Sequence, residues 1–157
     1  MITAFYSSVL DHPLERVWEL VRDFNNYPRY IDGVIESLIE DDKRGDEVGA
    51  IRRFNYQGNW IRQRLVRHSD EDHLLTYAGV DPFPFPQGEA TDAPSPTLYE
   101  GTMRLQRIVD GDRTFIEWPV ALDPASGEDK AWHELFMAMI PEWTDSLRRT
   151  LVREAGA

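Results

Sequence analysis

The sequence of 157 residues has no cysteine. Disulfide staples and thiolate metal sites are therefore excluded, and cysteine usage says nothing of the redox compartment. Basic residues are few: 17 Lys and Arg stand against 28 Asp and Glu, a formal net charge of −11. Nucleic acid and anionic membranes both reward positive surface, so neither is expected as a partner. Long apolar runs are missing too, since no stretch approaches the roughly 20 residues that a membrane-spanning helix needs. The N-terminal MITAFYSSVLDHP lacks the basic region and apolar run of a signal peptide. A cytoplasmic protein with no membrane insertion is the expectation. There is no HExxH or comparable ligand spacing, no serine in a nucleophile-elbow context, and no glycine-rich loop after a strand. Neither a metal site nor a cofactor is expected.

What is present fits one domain spanning residues 1–157, long enough to bury a sizeable core. ITAFYSSVL alternates and is rich in strand formers. In DHPLERVWELVRDF, Asp11 is a candidate N-cap and Pro13 lies near the first helical position, with Leu14, Val17, Trp18 and Val21 on one stripe. Pro28 and Gly33 make residues 24–33 a short helix or turn. From Val34 to Leu122 alternation and turns dominate, and from Lys130 to Glu154 a long helical pattern follows. The order strand, helix, short helix, strands, long helix is α+β, not the βαβ alternation of a parallel sheet. One stretch, DPFPFPQGEATDAPSPT, holds five of the ten prolines and reads as a surface loop with Phe83 and Phe85 as its only apolar content.

Two hairpin turns sort the faces of the sheet. With Gln57-Gly58 as a two-residue turn, Phe54 lies opposite Ile61, Arg52 opposite Gln63 and Ala50 opposite Leu65. Arg53 then faces Arg62, a like-charge pair that belongs in water, so the Phe54 side is the inner one. Asp110-Gly111 pairs Leu105 with Ile116, Met103 with Trp118, Gly101 with Val120 and Tyr99 with Leu122. HLLTYAGV adds Leu75, Tyr77 and Gly79 to one face. The inner face therefore mixes aliphatics with Arg52, Gln63, Tyr77, Tyr99 and Trp118, and Gly79 and Gly101 leave gaps in it. Two readings fit. Polar tips and missing side chains suit a ligand cavity with a few orienting groups; alternatively, Arg52 is paired in a core that the aromatics fill. Trp132, Phe136, Met139, Trp143, Leu147 and Leu151 recur at spacings of three and four and supply the opposing wall. Pro141 inside that pattern predicts a kink or a later helix start.

HPLERVWELVRDFNNYPRYIDGV, GAIRRF, RQRLVRHSDEDHLLTYAG and VDGDRTFIEWPVALD, followed by the C-terminal helix, run in an order that resembles the helix-grip superfamily. That superfamily includes START lipid-transfer domains, the birch pollen allergen and plant abscisic acid receptors. The chain is most similar to its bacterial SRPBCC group of polyketide cyclase/dehydrase and lipid transport proteins. The resemblance implies a seven-stranded antiparallel sheet wrapped around the long C-terminal helix, two short helices after the first strand, and a hydrophobic cavity between sheet and helix. It also implies that the loop after Tyr56 and the proline-rich loop flank the entrance. Cavity residues are then Arg52, Phe54, Ile61, Gln63, Tyr77, Tyr99, Met103, Trp118, Phe136, Met139 and Trp143. Tyr27, Tyr30, Phe83 and Phe85 stand at the entrance, the two tyrosines as partly buried lid residues or as core aromatics.

The implied function is binding of a small hydrophobic molecule such as a lipid, polyketide or aromatic metabolite. The alternative is a cofactor-free cyclase, aromatase or dehydratase in the same cavity, with Arg52 polarising a carbonyl and Tyr99 or Tyr77 moving a proton. Related proteins often carry Glu where this strand has Gln63, and glutamine orients a ligand but cannot be a general base. His12, His68 and His73 read as exposed, and only His133, beside Trp132, approaches an entrance. Oligomeric state is left open, a homodimer included.

Overall fold

The computed structural model describes residues 2–81, 83, 98–123 and 129–156. The elements are β1 (Ile2–Leu10), α1 (Leu14–Val21), α2 (Tyr27–Tyr30), β2 (Val34–Ile39), β3 (Ile51–Tyr56), β4 (Asn59–Ser69), β5 (Leu74–Gly79), β6 (Leu98–Ile108), β7 (Arg113–Asp123) and α3 (Asp129–Ala155). All seven strands form one antiparallel sheet in the order β1-β7-β6-β5-β4-β3-β2. The chain leaves β1 through α1 and α2, starts again at the far edge with β2, and meanders back until β7 pairs with β1. This is the helix-grip arrangement, with α3 lying against β1 and touching β7 and α2.

Local chemistry fixes the frame. Gln57 and Gly58 both have positive φ, 51° and 86°, as a primed two-residue hairpin turn requires. That turn sets the pairs Phe54–Ile61, Arg52–Gln63 and Arg53–Arg62. Beyond Asp110-Gly111 the pairs Leu105–Ile116, Gly101–Val120 and Tyr99–Leu122 form in the expected register. On α1 the residues Leu14, Val17, Trp18, Leu20 and Val21 are buried. The helix begins after Pro13, which precedes it in extended conformation without a side-chain cap, so Asp11 is not its N-cap. Proline fixes that geometry by itself, leaving nothing for the aspartate to do. On α3, Trp132, Phe136, Met139, Ile140, Leu147 and Leu151 are buried in one stripe, and the helix is continuous through Pro141.

The expected gaps at the glycines are not gaps. A Cβ on Gly79 would stand 2.0 Å from the Tyr99 ring, and one on Gly101 2.3 Å from the Tyr77 ring. Each glycine seats a tyrosine from the neighbouring strand flat on the backbone, which is how aromatic rings commonly cover a strand glycine. Free space on the inner face must therefore lie above these rings, not in the sheet.

Candidate functional site

A cavity lies above the two seated tyrosines, between the sheet and α3. The sheet contributes Phe54, Tyr56, Ile61, Gln63, Tyr77, Tyr99 and Val120; α3 contributes Phe136 and Trp143. Tyr27 of α2, then Ile31 and Val34, close one end, and Phe83 closes another. Its free volume is about 30 Å³. That holds a water or two, whereas ligand pockets run to roughly 300–1,000 Å³.

Phe83 is what fills it. The ring is 4% exposed and its centroid lies 5.2 Å from Tyr99, 5.0 Å from Phe136 and 6.3 Å from Trp132. It lies buried between β6 and α3. It also belongs to no strand or helix. Trp143 stacks obliquely on Trp118 at 5.6 Å and donates its indole N–H to the Tyr56 hydroxyl at 3.1 Å. Beyond this pair lies an outer cleft of about 310 Å³, lined by Asp32, Gln57, Glu142, Asp145, Ser146 and Arg149 as well as Tyr56 and Trp143. Tyr56 and Trp143 thus line both the polar cleft and the apolar cavity.

The polar groups of the interior have a common polarity. Gln63 donates to the Tyr99 hydroxyl at 3.3 Å, and Trp118 donates to the Tyr77 hydroxyl at 3.1 Å. The Tyr77 ring also meets the Tyr27 ring edge-on, with 6.5 Å between centroids. Burial pushes the Tyr77 and Tyr99 hydroxyls, and that of Tyr30, above the ordinary tyrosine range, because a phenolate would be poorly solvated there. Tyr56 is raised for the same reason.

Behind them lies Arg52, fully buried. Its Nε donates to Gln63 Oε1 at 3.0 Å, its Nη2 to the same oxygen, and its Nη1 to the carbonyl of Phe24. The guanidinium carbon lies 3.7 Å from the Tyr27 ring centre, 4.6 Å from Phe24, 5.1 Å from Tyr77 and 5.2 Å from Phe54. Among the described residues no carboxylate forms an ion pair with it.

Of the residues expected around a cavity, Phe54, Ile61, Gln63, Tyr77, Tyr99, Phe136 and Trp143 line this one. Arg52, Met103, Trp118 and Met139 do not. Trp118 lies under Tyr77 and Trp143. Met103 meets the Tyr30 hydroxyl at 3.9 Å, which also makes Tyr30 a core residue with no place at the cavity. Tyr27 does reach the cavity, though it is buried like Tyr30. Phe85 lies outside the described residues. Ile31, Val34, Tyr56 and Val120 line the cavity unforeseen. Tyr56 and Val120 carried a signal, being two residues along the same faces as Phe54 and Trp118. Ile31 and Val34 follow the Pro28 break and belong to no pattern.

His133 is half-buried and does not reach the cavity. His68 corrects the expectation of exposure, with a side chain only 8% exposed and its ring 5.5 Å from Trp18. It sits beside Asp70, whose carboxyl is held below the usual range by the Arg22 guanidinium and the Trp18 indole. Among the described residues no group of three His, Asp or Glu side chains is placed to hold a metal, and no helix is long and apolar enough to cross a membrane.

A family profile described as polyketide cyclase/dehydrase and lipid transport matches residues 1–153. No curated protein sequence matches the chain. Among solved structures, a protein of Nitrosospira multiformis superposes with a TM-score of 0.79 at 23% identity, over 99% of this chain and 100% of its own. The protein XoxI of Bacillus cereus gives 0.77 at 21% identity, over 97% and 96%. Ara h 8.0201 gives 0.70 at only 8% identity, over 97% and 98%. At such identities the likeness concerns the fold alone.

Proposed function

The chain belongs to the polyketide cyclase/dehydrase and lipid transport family, and from that premise we propose that it binds a small hydrophobic molecule between sheet and α3. A lipid, a polyketide or an aromatic metabolite fits the description, taken up in the cytoplasm. The observation that carries this reading is Phe83. An apolar, ring-lined interior is filled by a side chain from outside the sheet and helices, so a ligand can take its place without disturbing the frame. Gln63 and the hydroxyls of Tyr56 and Tyr99 would orient what enters.

Binding is favoured over cyclisation or dehydration by what lines the site. Among the described residues no carboxylate or imidazole lines the cavity to serve as a base, the phenols are made less acidic by burial, and three Arg52 N–H groups are given to Gln63 and Phe24. The test is native mass spectrometry of the purified protein followed by denaturing extraction. A discrete adduct that releases an apolar molecule is the expected result. A clean unliganded mass, together with no uptake of the neutral dye N-phenyl-1-naphthylamine, would overturn the proposal.

A further inference from the structure

The charge behind the cavity says which kind of hydrophobic molecule this is. A guanidinium can only donate hydrogen bonds. Because two of its N–H groups fall on Gln63, the amide must turn its oxygen to Arg52 and its NH₂ toward Tyr99 and the cavity. The Tyr99 hydroxyl accepts from that NH₂, so its own proton is left to donate. Tyr56 repeats the pattern: its hydroxyl accepts from Trp143 and from Gln57 Nε2, and an indole N–H has no other role. Donors thus run outward from a buried cation, and the site offers them to whatever enters. Meanwhile the positive charge of Arg52 meets ring faces and two amide oxygens, none of which neutralises it.

We infer that the ligand is an anion, a small apolar molecule bearing one carboxylate or similarly acidic oxygen. It docks that oxygen at Gln63 and Tyr99 with Arg52 one side chain behind. The inference rests on the cavity being a ligand site. It does not follow from overall charge, which is −11.

The experiment uses a matched pair, 2-naphthoate and 2-naphthamide. They share ring and carbonyl and differ by one charge, and both compete against N-phenyl-1-naphthylamine. At pH 7 the naphthoate should bind about tenfold tighter or better; an unscreened buried unit charge nearby is worth at least that, less what desolvation takes back. In Gln63→Glu a carboxylate reaches Arg52, and the naphthoate-to-naphthamide ratio should fall to one or below, whatever the absolute affinities. Should that variant fail to fold, Arg52→Gln reads the same ratio, since it removes the charge and keeps an N–H donor on the side chain. Dye uptake with equal or better binding of the amide, with neither compound competing, or with a ratio unmoved in both variants, overturns the anion inference and leaves hydrophobic binding standing. Absence of dye uptake by wild-type protein whose native mass shows no adduct overturns both.

Discussion

Replacing Phe83 with alanine separates a plug from a core residue, because the two roles give opposite responses to ligand. The ring is 4% exposed and touches three aromatic neighbours at 5.0–6.3 Å. A Phe→Ala change at such a place costs about 3–5 kcal/mol. For a chain of this size that is a fall in Tm of roughly 6–20 °C. If about 2 kcal/mol of the cost is cavity, then at ~24 cal/mol per Å³ the substitution leaves about 80 Å³ unfilled. Added to the present 30 Å³, this approaches the volume of an engineered apolar cavity that takes up benzene, about 150 Å³. The variant should therefore lose stability alone and recover more than the wild type in the presence of a small neutral aromatic. A hundredfold excess over Kd restores about 2.7 kcal/mol. Differential scanning fluorimetry with and without naphthalene reads both effects. In the wild type the same ligand must first expel Phe83, and its apparent affinity is reduced by the fraction of molecules in which the ring is out. A large loss of stability with no added rescue would make Phe83 an ordinary core residue and refute the displacement reasoning. So would a loss below about 1 kcal/mol, well under the usual range for a buried Phe→Ala change.

Alkaline stability should fall for a traceable reason. Tyr30, Tyr77 and Tyr99 have hydroxyls raised above the unfolded value by burial. The stability they contribute is intact below about pH 10 and is lost as pH rises toward the folded values, by up to ~1.4 kcal/mol per pH unit for each. Urea midpoints between pH 9 and 11.5, followed with phenolate absorbance, should show these three ionising only as the protein unfolds; ionisation near pH 10 in an intact fold would contradict this. Gly101→Ala places a methyl 2.3 Å from the Tyr77 ring and should cost about 1–3 kcal/mol by overpacking. A neutral or stabilising result in chemical denaturation would show that the glycine does not seat that ring.

What the sequence discloses and what it hides divide along the range of the interactions involved. The register of β3 with β4, and of β6 with β7, follows from two turn dipeptides and the alternation beside them, both local, and the structure has Phe54–Ile61, Arg52–Gln63, Leu105–Ile116, Gly101–Val120 and Tyr99–Leu122 paired as expected. Alternation tells which face a residue takes, but not how deep in that face it ends. Arg52 and Gln63 share a cross-strand pair, yet Arg52 is covered because Tyr27 and Phe24, some 25 residues earlier, fold over it. Gly79 and Gly101 looked like openings for the same reason: the rings that occupy them come from another strand. Alternation puts Trp118 and Met103 on the inner face, where they are covered by contacts with Tyr77 and Tyr30. Phe83 looked like loop surface because nothing in a proline-rich segment says that one of its rings turns inward.

Arg52 is also where stability and function pull apart. A buried cation stripped of water loses several kcal/mol of solvation even after relaxation. Four ring faces and two amide oxygens return part of that, but a methionine or leucine there would need no such compensation. A purely architectural role, tying β3 to the segment before α2 through the Phe24 carbonyl, would need one donor rather than a full charge. Glutamate at position 63 would be the simplest way to settle the charge, and the chain carries glutamine instead. Glutamine holds the guanidinium without neutralising it and passes its polarity to Tyr99. The cost of an uncompensated cation is therefore borne in the empty protein and relieved when an anion arrives, which is what selectivity for an acidic ligand requires.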